Sequence, residues 1–152
     1  MVIVLLGQPH SGKSTLAEKL MVEFGTHHID GDNFRSLIKN TDYSKQGRIN
    51  NLKKACDIGY YLVENEFTEV LVYSMVFPYK EVRDYLKQLM PDAKLFYLHY
   101  EQPRGREANH VSDFEVPTTE EAYYIDTDKY TIKESLELIK TELWKNGVAK
   151  FM

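Results

Sequence analysis

Residues 7–14 read Gly7-Gln8-Pro9-His10-Ser11-Gly12-Lys13-Ser14, a complete match to G-x-x-x-x-G-K-[ST]. Nothing else in the 152-residue chain restricts its fold as tightly. The pattern carries meaning only between a buried strand and a helix, and both contexts are present. Val2–Leu6 is a continuous apolar run, as expected of a strand covered on both faces. Behind the motif, Leu16, Ala17, Leu20, Met21 and Phe24 fall on one face of a helix predicted over Lys13–Phe24. Gly7 and Gly12 permit backbone angles and close approaches that a Cβ would block. Successive N–H groups then point at phosphate oxygens, with a helix N-terminus behind them. The loop predicts a nucleoside triphosphate with Mg²⁺, held by Gly7, His10, Ser11, Gly12, Lys13, Ser14 and Thr15. Lys13 is expected to reach the β- and γ-phosphates, Ser14 to ligate magnesium and Thr15 to help hold the α-phosphate.

The rest of the chain alternates. Strands are predicted over Thr26–Ile29, Val70–Phe77, Lys94–Tyr100 and Ala122–Asp126, and helices over Asp32–Ile38, Ser44–Glu66, Lys80–Met90 and Thr131–Lys145. Ser44 is placed to cap the long helix. This order predicts an α/β fold with a parallel sheet and helices on both faces. Residues 101–119 have no clear period, contain Pro103, Gly105 and Pro117, and read as a lid-like loop. One domain over 1–152 fits the length.

Composition narrows the function. Hydrophobic residues make up 43% and charged residues 28%, which is ordinary for a globular chain. Lys+Arg 19 against Asp+Glu 23 gives a net charge of −4, so neither long nucleic acid nor an anionic membrane is an expected partner. The first residues lack a basic stretch and a long apolar run, and Cys56 is the single cysteine. Both point to the cytoplasm. Cys56 reads as core packing, and the eleven tyrosines as packing and surface. GTPase switches share the loop but also need D-x-x-G and N-K-x-D, which are absent here. A small-molecule or nucleotide kinase fits better.

Ile29-Asp30-Gly31-Asp32-Asn33-Phe34-Arg35 follows the second strand. A carboxylate at a strand's C-terminal end can orient an attacking hydroxyl and help hold magnesium. The same residues also suit a turn and a helix cap. Arg48 and Asn51 lie three apart on the long helix and share a face, where a guanidinium suits bidentate capture of an anion.

These segments together resemble the adenylylsulfate kinase (APS kinase) family. Its members carry a G-x-S-G-S-G-K-S-T loop, then D-G-D-N-x-R, then R-x-x-N, then S-P-Y-x-x-x-R-D, with an I-D-T segment near the end. Here the counterparts are Asp30-Gly31-Asp32-Asn33-Phe34-Arg35, Arg48-Ile49-Asn50-Asn51, Phe77-Pro78-Tyr79-Lys80-Glu81-Val82-Arg83-Asp84 and Ile125-Asp126-Thr127. The resemblance implies a three-layer α/β/α sandwich of the P-loop kinase type, with five parallel strands ordered 2-3-1-4-5. It implies ATP-dependent phosphorylation of the 3′-hydroxyl of adenosine 5′-phosphosulfate (APS). Lys13 and Asp30 would be catalytic, and Ser14 and Asp30 would hold Mg²⁺. Asp32, Arg35, Arg48 and Asn51 would bind the acceptor; Phe34 or Phe77, neither given by the family pattern, is a candidate to supply a ring in place of the family's phenylalanine clamp. Homodimers follow by the same analogy.

Two departures stand out. Phe77 replaces the family's serine, and the lid lacks its lysine-rich and F-T-G-I segments. The adenine clamp is therefore missing, and Phe114-Glu115-Val116-Pro117 is all that matches the family's Y-E-x-P. A different nucleotide-linked acceptor (cytidine diphosphoramidate, as in capsule synthesis) or a sugar stays open, as does a nucleotide-binding module without turnover. Arg104 and Arg106 flank Gly105 and are candidates for closing on the transferred phosphoryl group.

Overall fold

The computed structural model describes residues 1–105 and 107–145. Five parallel strands form one sheet: β1 (Val2–Leu6), β2 (His27–Asp30), β3 (Leu71–Ser74), β4 (Lys94–His99) and β5 (Tyr123–Asp126). Their spatial order is β2-β3-β1-β4-β5, as the resemblance implies. Between them run α1 (Lys13–Phe24), α2 (Gly31–Leu37), α3 (Lys45–Glu64), α4 (Lys80–Leu89) and, at the end, α5 (Ile132–Lys145). A short 3-10 turn at Glu107–Asn109 is the one regular piece among the described residues of the 101–119 segment.

Strand alternation divides the core in two. Val2, Val4 and Leu6 face α3 and α4, packing with Leu52, Ala55, Cys56, Val82 and Leu86. Ile3 and Leu5 face α1 and α5, packing with Leu16, Ala17, Leu20, Ile139 and Leu143. All five β1 residues are buried, which is why the run has no polar alternate. Gly59 lets α3 sit low on the sheet, since a Cβ there would fall 1.7 Å from the Tyr73 hydroxyl. That hydroxyl instead donates to the Ala55 carbonyl at 2.8 Å.

Two expectations shift. Met21 lies at the rim of the α1 stripe and stays exposed, because Leu16, Ala17 and Leu20 already fill the groove. The strand predicted over Val70–Phe77 ends at Ser74. Met75 N–H still donates to Leu5, and the Val76 carbonyl accepts from Gly7 N–H, each at 3.3 Å. Phe77 then adopts a left-handed φ of 46° and turns the chain toward Pro78 and α4.

The register sets Asp30 beside Ser74 and Ser74 beside Leu5, at the strands' C-terminal ends. The Gly7–Gly12 loop leaves β1 at the same edge. Asp30 and Ser74 meet the loop there because parallel strands end together.

Candidate active site

The phosphate loop is a backbone cradle. Gly7 has φ 146°, and a Cβ on it would fall 2.2 Å from the Leu98 carbonyl oxygen. Gly12, at φ 101°, is the N-cap of α1 and supplies no side-chain cap, so the first α1 amides are left for a ligand. The cradle opens on a cavity of about 460 Å³ lined by Lys13, Ser14, Thr15, Asp30, Asp32 and Ser74, among others. Lys13 is buried, and its Nζ donates to the Gln8 carbonyl at 2.8 Å and to Ser11 Oγ at 3.3 Å. Burial pushes its pKa down to about 8, against the opposing pull of Asp32 and Asp30. The ammonium is thus held ready and poorly solvated, which favours capture of phosphate oxygens.

Asp30 is the polar hub. Its Oδ1 accepts from Ser14 Oγ at 2.7 Å and from Ser74 Oγ at 2.9 Å, and its Oδ2 caps α2 through Asn33 N–H at 3.1 Å. His28 Nε2 lies 2.6 Å from Ser74 Oγ on the far side. Partial burial raises the Asp30 pKa, but the bonds from Ser14, Asn33 and Ser74 and the nearby His28 outweigh it. The carboxyl ends below its ordinary value and is ionised at neutral pH.

A second cavity, of about 520 Å³, shares Pro9, Gly31, Asp32, Met75 and Val76 with the first. Arg35, Tyr43, Arg48 and Asn51 line one side, and Ala108 to Val111 the other. Arg35 stacks on the Tyr43 ring at 4.3 Å and donates to the Asp42 carbonyl at 3.0 Å. Buried Asn51 accepts from Asn40 Nδ2 at 3.3 Å. Asp32 puts one carboxylate on the shared wall, whereas Arg35 and Arg48 make the far end of this cavity cationic.

Tyr100, Arg104 and Val111 rest on the phosphate loop at three successive residues. Gln8 exchanges two 2.9 Å hydrogen bonds with the Val111 backbone. The Pro9 carbonyl accepts from Tyr100 Oη at 2.5 Å, and the His10 carbonyl from Arg104 at 2.9 Å. Arg104 also pairs with Asp128 at 2.9 Å and covers the Tyr100 ring at 4.0 Å. The Glu101 and Gln102 amides and Arg104 pull the Asp128 pKa down to about 2.

A model of the family described as adenylylsulphate kinase matches residues 1–110. The chain belongs to the adenylylsulphate kinase family. An adenylate kinase of Bacteroides fragilis is 27% identical over 156 residues, spanning 92% of this chain and 79% of its own. Among solved structures, the Mycobacterium tuberculosis APS kinase in complex with AMPPNP and APS has a TM-score of 0.76 at 20% identity, covering 93% of this chain and 96% of that one. A sugar kinase from Janibacter sp. has a TM-score of 0.77 at 15% identity, covering 99% and 96%. The structural likenesses show the fold. With the family match, they make this chain a P-loop small-molecule kinase, a phosphotransferase.

This adenylylsulphate kinase family member gathers most of the residues singled out in its sequence. His10, Gly12, Lys13, Ser14 and Thr15 line the first cavity with Asp30 and Asp32, and Asp32, Arg35, Arg48 and Asn51 line the second. Gly7 and Ser11 lie underneath as framework, with Ser11 fully buried. Phe77 is corrected. Its ring is fully buried, packed edge-on against Tyr73, and its carbonyl accepts from Arg83, so no ligand reaches it. Arg104 lies off both cavities, and Arg106 lies outside the described residues.

The sequence reading missed three contributors. Ser74 was legible only through the Asp30–Ser74 register. Tyr43 was passed over among the surface tyrosines, yet it lines the second cavity. Gln8 occupies an unspecified position of the loop motif. Ser14 Oγ and the Asp30 carboxylate form a hard-oxygen pair beside Lys13, which fits Mg²⁺, a cation that takes few protein ligands and keeps water and phosphate oxygens. No helix among the described residues is long and apolar enough to cross a membrane.

Proposed function

We propose that the protein transfers the γ-phosphoryl group of Mg·ATP to a hydroxyl of an anionic nucleotide, namely the 3′-hydroxyl of APS. The observation that carries this reading is the pair of adjoining cavities, with Asp32 lining both and Asp30 lining the loop cavity beside it. The loop cavity suits a triphosphate. The second suits a mononucleotide-sized acceptor, with Arg35 and Arg48 for its anionic group and the exposed Tyr43 ring for its base.

The adenylate kinase relative raises a phosphate acceptor as the competing reading. Charge favours the hydroxyl. A phosphate oxygen arrives already ionised, gains nothing from a base, and is repelled by Asp30 and Asp32. A hydroxyl is neutral, donates to a carboxylate and is oriented by it.

In this mechanism Lys13 exchanges the Gln8 carbonyl for β- and γ-phosphate oxygens, while the first α1 amides hold the remaining charge. Ser14 and Asp30 would hold Mg²⁺, which neutralises charge on the β- and γ-oxygens when bound. Asp30 aligns the acceptor hydroxyl in line with the γ-phosphorus and takes its proton as the new P–O bond forms and the bond from the γ-phosphorus to the β–γ bridging oxygen breaks, which releases ADP. Arg35, Arg48 and Asn51 fix the acceptor's far end, so that alignment rather than base strength sets the rate.

The test is ADP release with Mg·ATP, with and without APS, and mass analysis of the product. Strong stimulation by APS and a 3′-phosphorylated product are expected. Intact ATP binding without APS stimulation refutes this acceptor, and AMP and cytidine diphospho-compounds are then the next substrates to assay.

A further inference from the structure

The acceptor cavity's outer wall is built from residues 108–111, far from the phosphate loop in sequence. Two kinds of contact hold that wall. The Val111 side chain is buried in the α3/α4 core, which fixes its depth. The Gln8 carboxamide fixes the backbone. Gln8 Nε2 donates to the Val111 carbonyl and Val111 N–H donates to Gln8 Oε1, both at 2.9 Å. A reciprocal pair of this kind sets position and rotation together, as one rung of a strand ladder does.

The same residue's main-chain carbonyl accepts Lys13 Nζ at 2.8 Å. Gln8 therefore touches the phosphate-binding lysine with its backbone and the acceptor wall with its side chain. The next residue, Pro9, lines both cavities. The motif leaves position 8 unspecified, so nothing in phosphate binding requires a carboxamide there.

We infer that Gln8 is a positioning residue: its carboxamide sets residues 108–111 as the acceptor's wall and ties that wall to the loop that holds the donor. It touches neither reacting atom. Its loss loosens the acceptor and admits water to the γ-phosphate, while the loop's own amides and Lys13 keep their hold on ATP. The acceptor part of this inference rests on the reading proposed above, whereas the tether itself does not.

The test compares the full chain with Gln8→Met, which keeps the stem length and removes both hydrogen bonds, and with Gln8→Ala. Hydrogen exchange without ligand reads the tether. The Val111 amide is expected to exchange roughly fivefold faster, the equivalent of one ordinary hydrogen bond, while Leu5 and Leu98 amides in the sheet stay protected. Unchanged Val111 protection overturns the inference. Steady-state kinetics read the function. The KM for APS is expected to rise roughly tenfold with the KM for ATP within about twofold, and equal shifts in both overturn the positioning role. If the unaltered protein ignores APS, the acceptor reading fails separately, and ADP release with Mg·ATP alone decides. That idle rate is expected to rise roughly threefold in both variants, and no rise refutes the role of Gln8 as a wall-setting residue.

Discussion

Asp30→Asn separates the structural role of Asp30 from the catalytic one proposed for it. The substitution keeps size and shape and removes the charge. In the native site Oδ1 takes two hydroxyl donors and Oδ2 takes the Asn33 amide. An amide has one oxygen for these three donors. With that oxygen toward Ser14 and Ser74, its NH₂ faces the Asn33 N–H, donor against donor, and α2 loses its cap. Losing a cap costs about 1 kcal/mol, and replacing two charge-assisted bonds by neutral ones costs up to about 1 kcal/mol more at this partly exposed site. The sum of about 1–2 kcal/mol corresponds to a fall in Tm of roughly 3–6 °C for a chain of this size.

Catalysis should suffer far more. Removing a group that aligns and deprotonates the nucleophile costs roughly 10²–10⁴-fold in kcat. Circular-dichroism melting and coupled ADP release on the same preparation measure both. A Tm drop of the stated size with kcat within about threefold of the unaltered enzyme refutes the catalytic assignment and leaves Asp30 as a helix cap. Because the folded carboxyl titrates below its ordinary value of 3.8, its stabilising contribution is present above that value. It is lost as pH falls through the lower folded value, so the two proteins should converge in stability in acid.

Other perturbations probe the remaining parts. Arg48→Ala should raise the APS KM roughly 10–100-fold and leave the ATP KM nearly unchanged, as loss of a charged hydrogen bond at one substrate requires; equal changes remove Arg48 from the acceptor site. Gly7→Ala forces a Cβ to 2.2 Å from the Leu98 carbonyl oxygen, so the loop must shift. A Kd for ATP weakened roughly 100-fold or more is expected by calorimetry, and an unaltered Kd refutes the cradle geometry. Lys13 loses its proton near pH 8, whereas the unfolded chain keeps that proton to about 10.5. Stability should therefore gain from this group as pH climbs from about 8 toward 10.5, while ATP affinity weakens by up to roughly tenfold per unit, and a flat affinity from pH 7 to 9.5 refutes the lysine's role.

Much of this was legible from local order. The phosphate loop is contiguous, and each of its requirements is set within a few residues: a glycine at a positive φ, a buried strand before it and an amphipathic helix after it. Ser44 caps α3 through the Gly47 amide as its residue type and place foretold. The Asp30–Arg35 and Arg48–Asn51 segments were readable because each keeps its own short spacing. Phe77, which stands where the family has serine, was misplaced because its place in the sequence beside Pro78 does not say which way its ring points. Its left-handed backbone and the packing of Tyr73 turn the ring inward. Tyr43 went unnoticed because exposure alone does not distinguish a surface ring from a cavity wall.

Short-range order was enough to place a phosphate loop on a parallel α/β sheet, since hydrophobic period and glycine geometry act over short stretches of chain. Which distant groups meet that loop emerges from the folded chain. Ser74 reaches Asp30 across 44 residues, and Gln8 reaches Val111 across 103. Those meetings depend on strand order, register and the depth at which α3 packs. These are fixed by the whole core closing together, and no short segment carries them.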